Sequence, residues 1–218
     1  MAELLLVRHG ETEWTLSRRH TSYTDLPLTA NGEAQARAIA AVLARHAITL
    51  ALTSPLRRAR RTAELAGLRH AQVEINLHEW DYGGYEGLTS SEIRGMRPGW
   101  ALWADGVASG PSHHPGESPR QVGTRADRVL ARIRPLLDGP DPGDVVLVAH
   151  GHLLRVLAAR HLGLPPAAGA LFRLDTGTIS TLGTEHGRPV ISRWNAAPPS
   201  PSPQAGHSAG QPAMQSAR

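Results

Sequence analysis

The first pattern in the chain is a short unbroken apolar run. Glu3 to Val7 ends at the polar turn from Arg8 and predicts a buried strand. Thr29 can cap a helix that runs to about Arg45, with Glu33 in its first turn and Ala38, Ile39, Val42 and Leu43 as its apolar stripe. Leu50 to Thr53 predicts a second strand. Ser54-Pro55 then reads as an N-cap and a proline at the first helical position, opening a helix to about Ala66. From Leu77 to Glu117 the periodicity is weak, and this glycine- and tryptophan-rich stretch is expected to fold over one sheet edge as loops and short helices. Ser118-Pro119-Arg120-Gln121 resembles a capping box that starts a helix to about Leu137. After a turn-rich break from Asp138 to Gly143, Val145 to Ala149 is the clearest strand. A mostly apolar helix follows, Leu153 to Leu162, ended by Gly163 and Pro165. Leu171 to Leu174, Ile179 to Leu182 and Pro189 to Trp194 predict closing strands.

Strands alternating with helices imply an α/β domain with a largely parallel sheet, over residues 1–195. From Ala196 to Arg218 the composition turns to Pro, Ser, Ala, Gly and Gln, which predicts a disordered tail. The 218 residues suffice for one well-buried domain and are short for two. No stretch is long and uncharged enough to cross a bilayer and no export signal is visible, so a cytoplasmic protein is expected. With no cysteine, disulfides, thiolate nucleophiles and cysteine-held metals are excluded. Net charge is +4 and every basic residue is arginine. The guanidinium fork suits phosphate, but genomic base composition explains the arginines as a group equally well.

Particular positions say more. Ligands of open α/β sheets bind beyond the carboxyl ends of the strands. The first predicted strand runs into Arg8-His9-Gly10, the second into Ser54 with Arg57 and Arg58 beyond it, and the third into His150-Gly151-His152. Two histidines and at least two arginines can thus meet in one crevice, and glycine after each histidine fits close backbone approach to a ligand. Such a pocket suits phosphoryl transfer. A neutral imidazole attacks phosphorus, fixed cations (Arg8, Arg58 and a protonated His150) balance the oxygens, and one carboxyl serves as acid and then base. Each element also has a plain structural reading. A lone histidine after a strand is usually a hydrogen-bonder, Arg57, Arg60 and Arg61 a solvated helix face, and His113-His114 unstructured surface. His150-x-His152 has no carboxylate at ligand spacing, so no metal is expected.

Several blocks, in order, resemble the histidine phosphatase superfamily, which includes the cofactor-dependent phosphoglycerate mutases. They are Leu6-Val7-Arg8-His9-Gly10-Glu11-Thr12-Glu13-Trp14, Thr24 to Gly32, Ser54-Pro55-Leu56-Arg57-Arg58-Ala59, Glu79-Trp80-Asp81-Tyr82-Gly83, and Val148-Ala149-His150-Gly151-His152. The resemblance spans Leu4 to about Trp194. It implies a three-layer α/β/α sandwich around a mostly parallel mixed sheet, with no metal and no cofactor. By position it implies His9 as the phosphorylated histidine, Glu79 as proton donor, and Arg8, Arg58 and His150 as phosphate ligands. Thr15 stands where many members have asparagine. Glu79 to Gly83 with Trp100 and Trp103 is similar to a subgroup of bacterial acid phosphatases and the fungal sedoheptulose-bisphosphatase. On that analogy His20 and Tyr82, with Thr15 and Gly151, line the substrate side.

The expected activity is hydrolysis of a small, sugar-like phosphate monoester. The alternatives are a phosphoglycerate mutase and, from another class, a non-catalytic phosphate-binding domain. Expected partners are a small phosphorylated metabolite, neither nucleic acid nor membrane, and a homodimer is compatible with the apolar edge strands. Nucleic-acid binding through Arg57–Arg61 lacks the interleaved aromatics that would stack bases.

Overall fold

The computed structural model describes residues 2–199. In chain order the regular elements are β1 (Leu4–Arg8), α1 (Glu13–Leu16), α2 (Ala30–Leu43), β2 (Ile48–Thr53), α3 (Arg57–Leu65), β3 (Gln72–Val73), α4 (Ser90–Met96), α5 (Leu102–Asp105), α6 (Pro119–Asp138), β4 (Asp144–Ala149), α7 (Gly151–His161), β5 (Ile179–Glu185) and β6 (Arg188–Ala196). The last strand ends at Ala196, where the expected tail begins. Residues 200–218, most of that tail, lie outside the described residues.

One six-stranded sheet runs in the order β3-β2-β4-β1-β5-β6. The first four strands are mutually parallel, and β5 and β6 are antiparallel to their neighbours. This is the mixed, mostly parallel sheet of the expected α/β class. Alternation explains why β1 and β4 read as continuous apolar runs. Leu4, Leu6, Val145, Leu147 and Ala149 join one core with α6 and α7, while Leu5, Val7, Val146 and Val148 join the other with α2 and α3. Each fully buried leucine here contributes about 1.5–3 kcal/mol.

The helix ends follow from local chemistry. Thr29 Oγ1 accepts the Gly32 amide at the start of α2. Ser118 and Gln121 form the capping box of α6. At the end of α7 the amide of Leu164 bonds to Ala159 O and that of Gly163 to Arg160 O, with Gly163 at φ 74°. That is a Schellman close, which glycine allows without strain.

Several expectations are corrected. Ser54-Pro55 does not cap α3, which begins at Arg57 after Leu56 with no side-chain cap. Ser54 Oγ is engaged by His150 instead. Residues 171–174 form no strand. A 3-10 turn over Pro166–Leu171 occupies part of the segment, Leu171 is exposed, and the Leu174 carbonyl accepts from the Arg8 guanidinium. The middle segment is more than cover for an edge, since Leu77, Trp80, Tyr82, Tyr85, Ile93 and Trp100 belong to the α6/α7 core. Two short elements carried too little periodicity to be foreseen: α1, and β3 with its two exposed residues. Among the described residues, no helix is long and apolar enough to cross a membrane.

Candidate active site

The three central parallel strands β2, β4 and β1 end side by side, and their hydrogen-bond ladder continues one residue past the strands. The His9 amide donates to Ala149 O at 2.9 Å and the Ser54 amide to Val148 O at 3.0 Å. This ladder brings Arg8-His9, Ser54 and His150 together at the carboxyl ends of the central strands. The His9 and His150 rings meet edge-on, with centroids 5.1 Å apart.

His9 Nδ1 lies 2.7 Å from the Gly10 carbonyl. A carbonyl only accepts, so Nδ1 carries the proton and the Nε2 lone pair is free. Burial, then Arg58 and Arg8, hold the imidazole pKa well below its ordinary value. The ring is therefore a neutral base with its reactive nitrogen unprotonated.

Arg58 is the one inward arginine of α3, sharing its buried face with Ala59, Thr62 and Ala63. Its terminal nitrogens donate to the carbonyls of Thr21, Ser22 and Thr24 at 3.0–3.1 Å. Glu86 holds the same loop from the other side by accepting the Ser22 and Thr24 amides. Nε of Arg58 is left with no protein partner at all. Arg8 donates to Leu174 O and packs its guanidinium against Gly151, again leaving Nε unpaired.

His150 Nε2 is 2.7 Å from Ser54 Oγ, and burial followed by Arg58 and His9 drives its pKa well below the usual value, which favours the neutral imidazole over the cation. Among the described residues, three buried side-chain nitrogens lack a hydrogen-bond partner: Arg8 Nε, Arg58 Nε and His150 Nδ1. Unpaired buried donors are rare and costly, and these three belong to the three residues expected to grip phosphate.

Glu79 is buried beside the first turn of α7. Its Oε1 accepts the amides of Trp80 and Leu153, both at 2.9 Å, and Oε2 accepts that of His152 at 3.1 Å. Arg125 of α6 fixes this segment by donating to the carbonyls of Asn76 and His78 and to the Glu117 carboxylate.

The expected substrate-side residues divide. His20 and Tyr82 sit together, ring centroids 4.7 Å apart. Thr15 is engaged locally, its Oγ1 donating to Thr12 O and accepting the Thr12 amide in the α1 capping box. A Cβ on Gly10 would lie 2.2 Å from Gly32 O, so Gly10 accommodates α2, and one on Gly151 would meet Arg8.

The roles of Ser54, His152, Glu86 and Arg125 went unrecognised because most of their partners lie 47 to 96 residues away, and Ser54 was read as a local cap. His114 is not unstructured surface: it stacks on Tyr23 at 3.9 Å between centroids. The outward arginines 57, 60 and 61 line a separate groove of about 1090 Å³ along α3, whose lining includes none of the site residues above.

A model of the histidine phosphatase superfamily (branch 1) matches residues 4–197. The acid phosphatase of Mycobacterium tuberculosis is 41% identical over 186 residues, covering 84% of this chain and 87% of that protein. Sedoheptulose 1,7-bisphosphatase of Saccharomyces cerevisiae is 36% identical, covering 73% of this chain and 67% of that protein. A probable phosphoglycerate mutase of Serratia proteamaculans is 35% identical, covering 89% and 90%. The solved structure of the Rv3214 product from Mycobacterium tuberculosis superposes with a TM-score of 0.81 at 39% identity, covering 90% of this chain and 98% of that one.

Proposed function

The chain belongs to the histidine phosphatase superfamily, and from that premise we propose that it hydrolyses small phosphate monoesters through a phosphohistidine on His9. The observation that carries this reading is the set of three unpaired buried nitrogens beside a neutral imidazole with a free Nε2. The substrate class is a small phosphorylated metabolite, and the sugar-phosphate reading draws on the likeness to the yeast bisphosphatase.

In the first step His9 Nε2 attacks phosphorus while the bond to the leaving oxygen breaks, and Glu79 gives that oxygen a proton. Arg8 Nε and Arg58 Nε donate to the equatorial oxygens, where negative charge concentrates. His150 joins them as a neutral donor. Ser54 Oγ accepts the Leu56 amide at 3.3 Å and in this reading donates its own proton to His150 Nε2, the tautomer that leaves Nδ1–H for phosphate. In the second step water attacks the phosphohistidine. The P–N bond breaks, the water proton passes to the Glu79 carboxylate, and orthophosphate leaves. Glu79 Oε2, which accepts one amide against two for Oε1, is the oxygen suited to carry the proton.

Phosphate release from p-nitrophenyl phosphate, with and without a chelator, tests the proposal. Wild-type turnover that His9→Ala abolishes supports it; no turnover, or equal turnover by the variant, refutes it. The likeness to a probable phosphoglycerate mutase sustains a second reading. Interconversion of 3- and 2-phosphoglycerate faster than phosphate release decides for it. A purely phosphate-binding role is disfavoured, because His9, Arg8, Arg58, Glu79 and His150 are all present.

A further inference from the structure

The mechanism leaves idle a second set of polar rings beside Glu79. Tyr82 Oη and His152 Nδ1 are 2.6 Å apart. The His152 ring is walled by Trp80 and Trp103, with centroids at 6.2 and 5.3 Å. Burial, then Arg155, holds its pKa well below the ordinary value, and burial pushes the Tyr82 phenol well up, so both groups are neutral. A phenol is a far stronger acid than a neutral imidazole N–H, so the shared proton sits on Oη and points at Nδ1. Tyr82 then has only lone pairs left to offer.

His20 repeats the pattern. Its Nδ1 is 2.8 Å from the Leu88 carbonyl, to which it can only donate, so Nε2 is a bare acceptor. Its ring stands edge-on to Tyr82 at 4.7 Å and parallel to His152 at 6.3 Å. The same His152 joins this cluster to the proposed acid, since its backbone amide donates to Glu79 Oε2.

We infer that His152 is a positioning residue: it fixes the Tyr82 proton so that Tyr82 and His20 present an acceptor-only wall to the leaving alcohol, which selects esters whose alcohol carries further hydroxyl donors. This rests on the phosphatase reading of the His9 site. A site built to accept hydroxyl protons discriminates against an alcohol that has none, because its buried acceptors then stay unpaired.

The experiment compares kcat/KM for fructose 6-phosphate and for phenyl phosphate in wild type, His152→Leu, His152→Asn and Tyr82→Phe. The sugar-over-phenyl ratio is expected to fall about tenfold in His152→Leu and in Tyr82→Phe, mostly through KM, as befits one lost hydrogen bond. Asparagine places an acceptor where Nδ1 stood, and restores the ratio to within about threefold of wild type. If His152→Leu does not fold, Tyr82→Phe reads the same contact from the other side. An active enzyme whose ratio changes by less than about threefold in the foldable variants overturns the inference, as does an asparagine variant no better than leucine. Wild type that releases no phosphate from either ester refutes the phosphatase reading, and the inference falls with it.

Discussion

Replacing Gly151 by alanine should weaken phosphate binding without weakening the fold. Gly151 is the first residue of α7 and has no positive φ, so alanine can take its backbone conformation. The added Cβ would lie 3.1 Å from Arg8 Cζ, 3.2 Å from Nε and 3.4 Å from Nη2. Carbon atoms prefer about 3.5–4.0 Å, so the guanidinium must retreat by roughly 0.5 Å. Its far end is anchored on the Leu174 carbonyl, so the displacement falls mainly on Nε, the nitrogen proposed to bind phosphate. A charge-assisted hydrogen bond is worth about 1.5–3 kcal/mol, and losing half of it weakens orthophosphate binding about three- to tenfold. Helix propensity works the other way, since alanine gains up to roughly 0.5–1 kcal/mol over glycine. The assay is the inhibition constant of orthophosphate against p-nitrophenyl phosphate hydrolysis, with Tm measured in parallel. A folded variant whose inhibition constant stays within about twofold of wild type refutes the role given to Arg8 Nε.

Other outcomes follow from the same geometry. Ser54→Ala removes the partner of His150 Nε2, and leaving that buried nitrogen unpaired costs about 1–3 kcal/mol. KM for phosphate esters should rise about tenfold, and an unchanged KM refutes the proposed donor role of His150. Gly10→Ala drives a Cβ to 2.2 Å from the Gly32 carbonyl, so it should destabilise by about 1–3 kcal/mol through overpacking. An unchanged Tm would show that α2 yields there at no cost. Acid should also weaken the fold. Burial depresses His9, His150 and His152 below the unfolded value near 6.5, so their stabilising contribution is complete above that pH and lost as pH falls toward the folded values. Urea unfolding should lose about 1.4 kcal/mol per pH unit for each such histidine below pH 6.5, and a midpoint constant from pH 7 to 5 refutes this.

How much of this was legible beforehand depended on how local each cause was. Strands buried on both faces announce themselves, since Leu4 to Val7 and Val145 to Ala149 have no polar side to hide. Capping chemistry is equally local, and the Thr29 and Ser118 starts came out as expected. The Ser54-Pro55 start failed because a hydroxyl before a proline looks the same whether it caps a helix or meets a histidine 96 residues later. The aromatic stretch after Leu77 had no period to read, because its residues reach the core from loops and 3-10 turns.

Arg58 marks the boundary between the two kinds of information. Resemblance singled it out among four arginines, but helix geometry contains the same answer. At about 100° per residue, Ala59, Thr62 and Ala63 define a narrow face of small side chains, and Arg58, one turn before Thr62, is the arginine that falls on its rim. Arg57 and Arg60 lie on the far side and are exposed, while Arg61 pairs with Glu33 and Glu64. Small residues on an amphipathic face thus mark where a long side chain can pass inward. What no local rule supplies is the use the arginine finds there. Its two terminal nitrogens hold the loop at Thr21–Thr24, while Nε has no protein partner and is left to meet a ligand. A substitution at Arg58 would therefore unfasten that loop as well as remove a phosphate donor, and its kinetic effect cannot be assigned to phosphate alone. Gly151→Ala moves one donor by a fraction of an ångström and leaves every other anchor in place, so it is the cleaner probe of the site.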